Sequence, residues 1–349
     1  MITNPALGVL LHAIGGFAAG SFYAPLKNVE RWAWESFWLV MGLAAWLAAP
    51  WIVALITIPE LLSVLADSSG RVWGLCLLFG MLWGLGNLSF GLSVRYLGMA
   101  LGYAVALGFC MVVGTLMPPL LEGRVVSILS TSSGLTIVGG VITCLGGIGL
   151  CGWAGIRKES ELTEEQKQQT VAEFALGKGF AVAAMAGVLS ACFAFGLASG
   201  KPIAEVAIAR GAAPLFSNNA SLVVILIGGF VSNAIWCLYL NFRNRSFKDY
   251  VTGPRSRQLR NYLLSVLAGV IWYGQFFFYG MGTTKLGETY DFSSWSIHMA
   301  FIIVFSNLWG MAFHEWRGTS AKTRNLVWGG ILTLIISTMV IGYGNYLSV

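Results

Sequence analysis

Three ionisable residues stand where such groups are expensive. Hydrophobic residues make up 56% of the chain and charged residues 10%, and His12, Asp291 and His298 fall inside or at the mouth of long apolar runs. Burying such a group in hydrocarbon costs on the order of a few kcal/mol, so they usually face a cavity or one another. A carboxylate or imidazole in that position can load a proton at one face and discharge it at the other. Asp291 and His298 are seven residues apart, which places them on one face of a helix about 10 Å apart along its axis. With His12 they are the candidates for proton coupling. A structural reading stands beside this one: Asp291 as a helix N-cap and His298 as a hydrogen-bond partner of a neighbouring helix.

A second group of residues suits a polar solute with apolar faces. The run WYGQFFFYG (272–280) sets Gln275 among the rings of Trp272 and Tyr279, and YDFSSW (290–295) adds Tyr290 and Trp295. Aromatic faces stack on the C–H faces of sugars, and Asn87 in GLGNLSFG could bring a second amide to the same solute. SFYAPLK (21–27) supplies Tyr23 and Lys27, with Pro25 interrupting the helix and freeing carbonyls, as expected where backbone lines a polar cavity. The alternatives are interhelical hydrogen bonding for the amides and snorkelling to the interface for Lys27 and Lys201.

Positioning these residues requires membrane helices. A soluble domain carries roughly 25% charge, well above the 10% here, and about 20 apolar residues cross a bilayer. Apolar runs predict ten spans near 6–25, 36–58, 72–93, 97–119, 131–155, 178–199, 214–240, 262–283, 291–313 and 325–346. The polar stretch 157–178 reads as a solvated, partly helical linker, which divides the chain into 1–156, a linker 157–177, and 178–349. Glu35, Glu60, Asp67, Glu122, Glu205, Glu288 and Glu315 lie at span ends or in loops, where solvation is the default. Trp32, Trp34, Trp38, Trp51 and Trp316 suit interfacial anchors, and Gly139, Thr143 and Gly147 form a stripe that permits close helix contact. The N-terminal segment lacks a basic region before its apolar run, so a cleaved signal peptide is not expected.

The six cysteines lie within spans without metal-ligand spacing and read as packing residues. No Walker sequence or HExxH occurs, so no metal or cofactor is expected and an ion gradient is the natural energy source. The basic pI reflects loops rather than a nucleic-acid patch. One side of the ten-span topology receives 16 of the 21 Lys and Arg residues, which puts that side in the cytoplasm and both termini in the periplasm.

The halves resemble each other. WGLGNLSFGLSVRYLG (83–98) aligns without gaps to WYGQFFFYGMGTTKLG (272–287), pairing Trp83 with Trp272, Gly91 with Gly280, Leu97 with Leu286 and Gly98 with Gly287 at an offset of 189. Lys27 beside Pro25 and Lys201 beside Pro202 pair at an offset of 174. Both matches relate span n to span n+5. Because five is odd the paired spans run in opposite directions, the inverted repeat used by many secondary transporters.

FYAPLKNVERWAWESFW, LWGLGNLSFGLSVRYLGMALG, GTLMPPL, IWYGQFFFYGMG and YDFSSWSIHMAF together resemble the bacterial L-rhamnose-proton symporter family along the whole chain. The resemblance implies an all-α integral membrane protein of the drug/metabolite transporter fold, with ten transmembrane helices as a 5+5 inverted-topology repeat. It also implies proton-coupled import of a 6-deoxy sugar, L-rhamnose first, by alternating access in the bacterial inner membrane. The partners are then the sugar, a proton and membrane lipid; a monomer suffices and a dimer is compatible. Ser199-Gly200 and Thr283-Thr284 depart from the patterns associated with rhamnose carriers and keep L-fucose or another monosaccharide as an alternative. A membrane-embedded transferase is the alternative from a different class; it would cluster His, Asp or Glu at one interface, whereas here they are scattered.

Overall fold

A computed structural model describes residues 3–161, 176–287, 292–314 and 316–348 of the 349-residue chain. Among them, ten helices are long and apolar enough to cross a membrane. In order, spans 1 to 5 are Pro5–Leu26, Trp34–Thr57, Gly70–Ser93, Ala104–Leu121 and Ser132–Lys158; spans 6 to 10 are Gly177–Ala209, Pro214–Asn244, Arg255–Leu286, Ser293–Ala312 and Ala321–Tyr346. Each coincides with a predicted run. Large apolar side chains such as Leu55, Ile56, Leu121 and Phe242 cover the outer surface, as lipid requires.

Spans 3 and 4 belong to one stretch of helical hydrogen bonding, Gly70–Leu121, yet they fold back on each other. A Cβ at Gly86 would lie 2.6 Å from the amide nitrogen of Ser190, and one at Gly187 would lie 2.9 Å from that of Cys110. In a straight helix Gly86 and Cys110 would be about 36 Å apart, but both lie against span 6 at positions three residues apart. Leu97 meets Gly179, farther along span 6. The chain therefore runs beside span 6 to Gly179 and returns, as the separate spans require.

The chain forms two compact units. The first comprises Met1–Phe17, Gly86–Ala194 and Met281–Val349; the second comprises Ala18–Leu85 and Phe195–Gly280. Each unit takes helices from both halves of the sequence.

Spans 5 and 10 build the main seam of the first unit. Glycine on one helix meets a larger residue on the other four times: Gly140 with Ile341, Gly147 with Leu334, Gly330 with Cys151 and Gly344 with Ile137. Numbers rise on one helix as they fall on the other, so the pair is antiparallel. The expected stripe Gly139, Thr143 and Gly147 is corrected here. Gly139 faces open space and Thr143 bonds back to the Gly139 carbonyl; the contact face is Gly140, Cys144 and Gly147, because the seam sits one residue further round the helix.

Spans 2 and 7 form the core of the second unit and are also antiparallel, tied by Thr57 to Asn219, Trp38 to Asn233 and Ser36 to Asn241. Glu35 departs from the solvated role expected of it. It is 4% exposed, and its carboxylate accepts from Asn244 (3.0 Å) and Ser246 (2.7 Å) at the end of span 7. Trp38 is likewise buried rather than an interfacial anchor.

Loop contacts agree with alternating spans. In the second unit Arg260 pairs with Glu30 at one end, and Arg210 joins Glu60 and Asp67 at the other. In the first unit the Asn4 amide bonds the Lys285 carbonyl at the end of span 8, and Asn345 bonds Ser293 at the start of span 9. Glu161, at the end of the span 5 helix, caps the start of span 10. Its carboxylate accepts from the Ser320 amide, the Ser320 hydroxyl and the Thr323 hydroxyl at 2.6–2.7 Å. Those bonds, Thr323 first and then Ser320, with Arg157 nearby, hold its carboxyl down at about 2.

Two outcomes follow for this framework. Gly140→Val drives a side chain into Ile341 and is expected to cost about 1–3 kcal/mol, whereas Gly139→Val next to it enters open space; thermal unfolding in detergent separates the two. Because the Glu161 value lies below the ordinary 4.5, its contribution to stability is complete above that pH and is lost as pH falls toward 2. Glu161→Gln therefore lowers Tm at pH 7, and the deficit narrows at pH 3; an equal deficit at both would refute a role for the charge.

Candidate functional site

In the first unit, Gly16 lets spans 1 and 9 approach closely: a Cβ there would lie 2.4 Å from Phe301 Cβ. About one turn earlier on each helix stand His12 and His298, 0% and 3% exposed, with ring centroids 5.8 Å apart and planes at 62°. Gly282 makes room for the first ring, since a Cβ would fall 2.8 Å from His12 Nε2. The two histidines singled out from opposite ends of the sequence are thus direct neighbours. Bringing both to the imidazolium form would cost roughly 3 kcal/mol in mutual repulsion at an effective dielectric of about 20, so the pair is suited to a single proton.

The start of span 9 presents a row of buried polar groups. Ser293 accepts from Asn345, Ser296 and Thr115 share a hydrogen bond of 2.7 Å, and the Trp295 indole N–H donates to the Cys110 carbonyl at 3.0 Å. Trp295 fills the space left by Gly114 and lies parallel to Phe193 at 6.1 Å. Ser294 is fully buried, its hydroxyl has no partner among the described residues, and it sits one turn before His298 on the same face. Asp291 and Tyr290 lie outside the described residues.

The second unit contains an aromatic box. Trp46 is surrounded edge-on by Trp272 at 5.1 Å, Trp83 at 5.9 Å and Trp38 at 6.5 Å. Phe22 stacks on Trp272 at 4.3 Å, and Phe276 meets Trp83 at 5.3 Å. Gln275 and Tyr279, one and two turns after Trp272, are buried as well. The local cause is Pro50: with no N–H to offer the Trp46 carbonyl, span 2 widens into a π-helical turn over Leu43–Ala48. Gly42 then accommodates the Trp46 ring, 2.7 Å from where a Cβ would be.

Tyr23 is 44% exposed and edge-on to Phe22, and Lys27 is exposed just past the short helix Tyr23–Leu26. Asn87 is half-buried in the first unit, with its Nδ2 buried and unpartnered among the described residues. Sequence reasoning missed Trp46 and Ser294. Trp46 lies four residues before a proline inside an apolar run, which is the available signal; Ser294 has none beyond its place one turn before a histidine.

A sequence profile of L-rhamnose-proton symport proteins matches residues 1–346. The L-rhamnose-proton symporters of Yersinia pestis (strain Pestoides F) and Yersinia pseudotuberculosis serotype O:1b are each 35% identical over 340 residues, which is 97% of this chain and 97% of theirs. That of Mannheimia succiniciproducens is 34% identical over the same shares. The family is one of transporters, so the membrane-embedded transferase falls away, and ten apolar helices fit a multi-pass protein of the bacterial inner membrane. The chain belongs to the L-rhamnose-proton symport protein family.

Proposed function

We propose that this chain imports L-rhamnose with a proton by alternating access, acting as a monomer with the proton as coupling ion and no cofactor. The observation that carries the reading is the His12–His298 pair, buried in a chain that matches sugar-proton symporters over nearly its whole length. The pair holds the coupling proton, and Asp291, seven residues before His298, delivers it from the outer face. Of the aromatic and amide residues, Trp272, Gln275 and Tyr279 of the second unit are assigned to the sugar, with Tyr23 and Lys27 at its approach.

The fold proposed is the drug/metabolite transporter fold, two inverted five-helix repeats over 1–156 and 178–349 joined by the linker 157–177. Contacts within the first unit recur in a manner that supports it. Leu286 of span 8 fills the space at Gly8 of span 1, as Leu97 of span 3 does at Gly179 of span 6. Gly16 admits span 9, as Gly187 admits span 4. Each pair of glycines is 171 positions apart, and spans 2 and 7, like spans 5 and 10, run antiparallel. The bias of Lys and Arg toward one side supports a topology with both termini in the periplasm.

Proteoliposome uptake under an imposed inward proton gradient tests the reading, with L-rhamnose, L-fucose, L-mannose and D-glucose as substrates. L-rhamnose should accumulate and the medium should turn alkaline on its addition. His298→Gln should cut accumulation at least tenfold while sparing rhamnose–rhamnose exchange; equal accumulation without a gradient, or a variant that accumulates normally, refutes proton coupling through the pair. Orientation has its own test: alkaline phosphatase fused after Val349 should be active, and activity from a cytoplasm-specific reporter there would reverse the topology.

A further inference from the structure

Two buried indoles and one half-buried indole have acceptors. Trp38 donates to Asn233 at 3.1 Å, Trp73 to the Leu65 carbonyl at 2.9 Å and Trp295 to the Cys110 carbonyl at 3.0 Å. Trp46 is different. It is 1% exposed, the most deeply buried ring of the aromatic box, and its Nε1 has no acceptor among the described residues. Trp32 shares the missing acceptor, but it precedes span 2 and is only half-buried. A buried donor left unpaired is destabilising, and the structure sustains it with a second costly feature, the π-helical turn Leu43–Ala48 closed by the Ala49 amide on the Ala44 carbonyl. Such turns recur at functional sites.

The surroundings define what such a donor would meet. The nearest rings come from Trp83 and Trp272, the residues matched between the two halves of the sequence, and both pack edge-on against Trp46. A solute entering here must part the rings, and each edge-on contact given up costs about 0.5–1.5 kcal/mol beyond its area burial. What they would then offer is apolar faces on two sides, one N–H at the centre, and the Gln275 amide one turn from Trp272. That combination matches a pyranose, whose C–H faces stack on rings and whose hydroxyl oxygens accept hydrogen bonds.

We infer that Trp46 is a substrate-facing residue of the transporter, its indole N–H donating to a hydroxyl oxygen of the sugar between Trp83 and Trp272. The inference rests on the sugar-symport reading and adds a specificity residue to it. It also assigns the π-helical turn a role: it swings the indole over Gly42 and away from the helix's own carbonyls.

Trp46→Phe keeps a ring and deletes the N–H, and Trp73→Phe, which deletes the bond to the Leu65 carbonyl outside the aromatic box, is the control. L-rhamnose uptake in proteoliposomes gives KM and Vmax, and detergent unfolding gives Tm with and without the sugar. Trp46→Phe should raise KM about 5- to 10-fold, the worth of one neutral hydrogen bond, leave Vmax within twofold, and shrink the Tm gain conferred by L-rhamnose. Trp73→Phe should lower Tm with KM unchanged. If Trp46→Phe behaves as Trp73→Phe does, its N–H is packing and the inference fails. Should Trp46→Phe not fold, Gly42→Ala, which pushes on the same ring, must raise KM instead; an unchanged KM there also overturns the inference. Wild-type protein that takes up none of the sugars tested would refute the symport reading itself. Uptake of a different sugar would move the same KM comparison to that sugar.

Discussion

Hydrocarbon neither hydrates a peptide group nor drives apolar helices together, so a bundle in lipid depends on how closely its helices can approach. Here that approach is made by glycines that receive a larger residue from the neighbour. Gly147 receives Leu334, Gly179 receives Leu97, Gly8 receives Leu286, and Gly229 receives the ring of Trp83. The same device makes the candidate sites. His12 occupies the space at Gly282, Trp46 that at Gly42, and Trp295 that at Gly114. Function and packing use one geometry: a missing Cβ sets where each functional ring can lie.

Within that apolar frame many of the buried polar groups among the described residues have partners. Glu35 takes two donors from the end of span 7, and Asn233 accepts from Trp38 while donating to the carbonyls of Gly84 and Gly229. Against that background Trp46 Nε1 and Ser294 Oγ are among the buried polar atoms left without a partner among the described residues. Buried polar atoms are costly enough in such surroundings that the exceptions are informative.

Much of this was legible in the sequence. Span number and limits follow from apolar length, since nothing else satisfies a backbone in lipid, and His12 and His298 were recognisable because an imidazole in an apolar run is costly. Their contact was not, because no local pattern reports which helices become neighbours 286 residues apart. Gly139 and Gly140 show the same limit at finer scale: which of two adjacent glycines faces the partner is decided by the rotation of the whole helix. Trp38 and Glu35 were misplaced for a related reason. Both lie near a span end, where exposure is the default, but span 7 and the turn after it cover them.

The seam between spans 5 and 10 carries one more implication. Its four glycines are divided between the two helices, two on each, and each is filled by a bulky or sulfur-bearing residue opposite. Displacing one helix along the other by a single turn would press large residue against large residue and leave the glycines facing gaps. The pair is keyed like a tooth in a rack, so sliding along the seam is opposed and the two helices hold one register against each other.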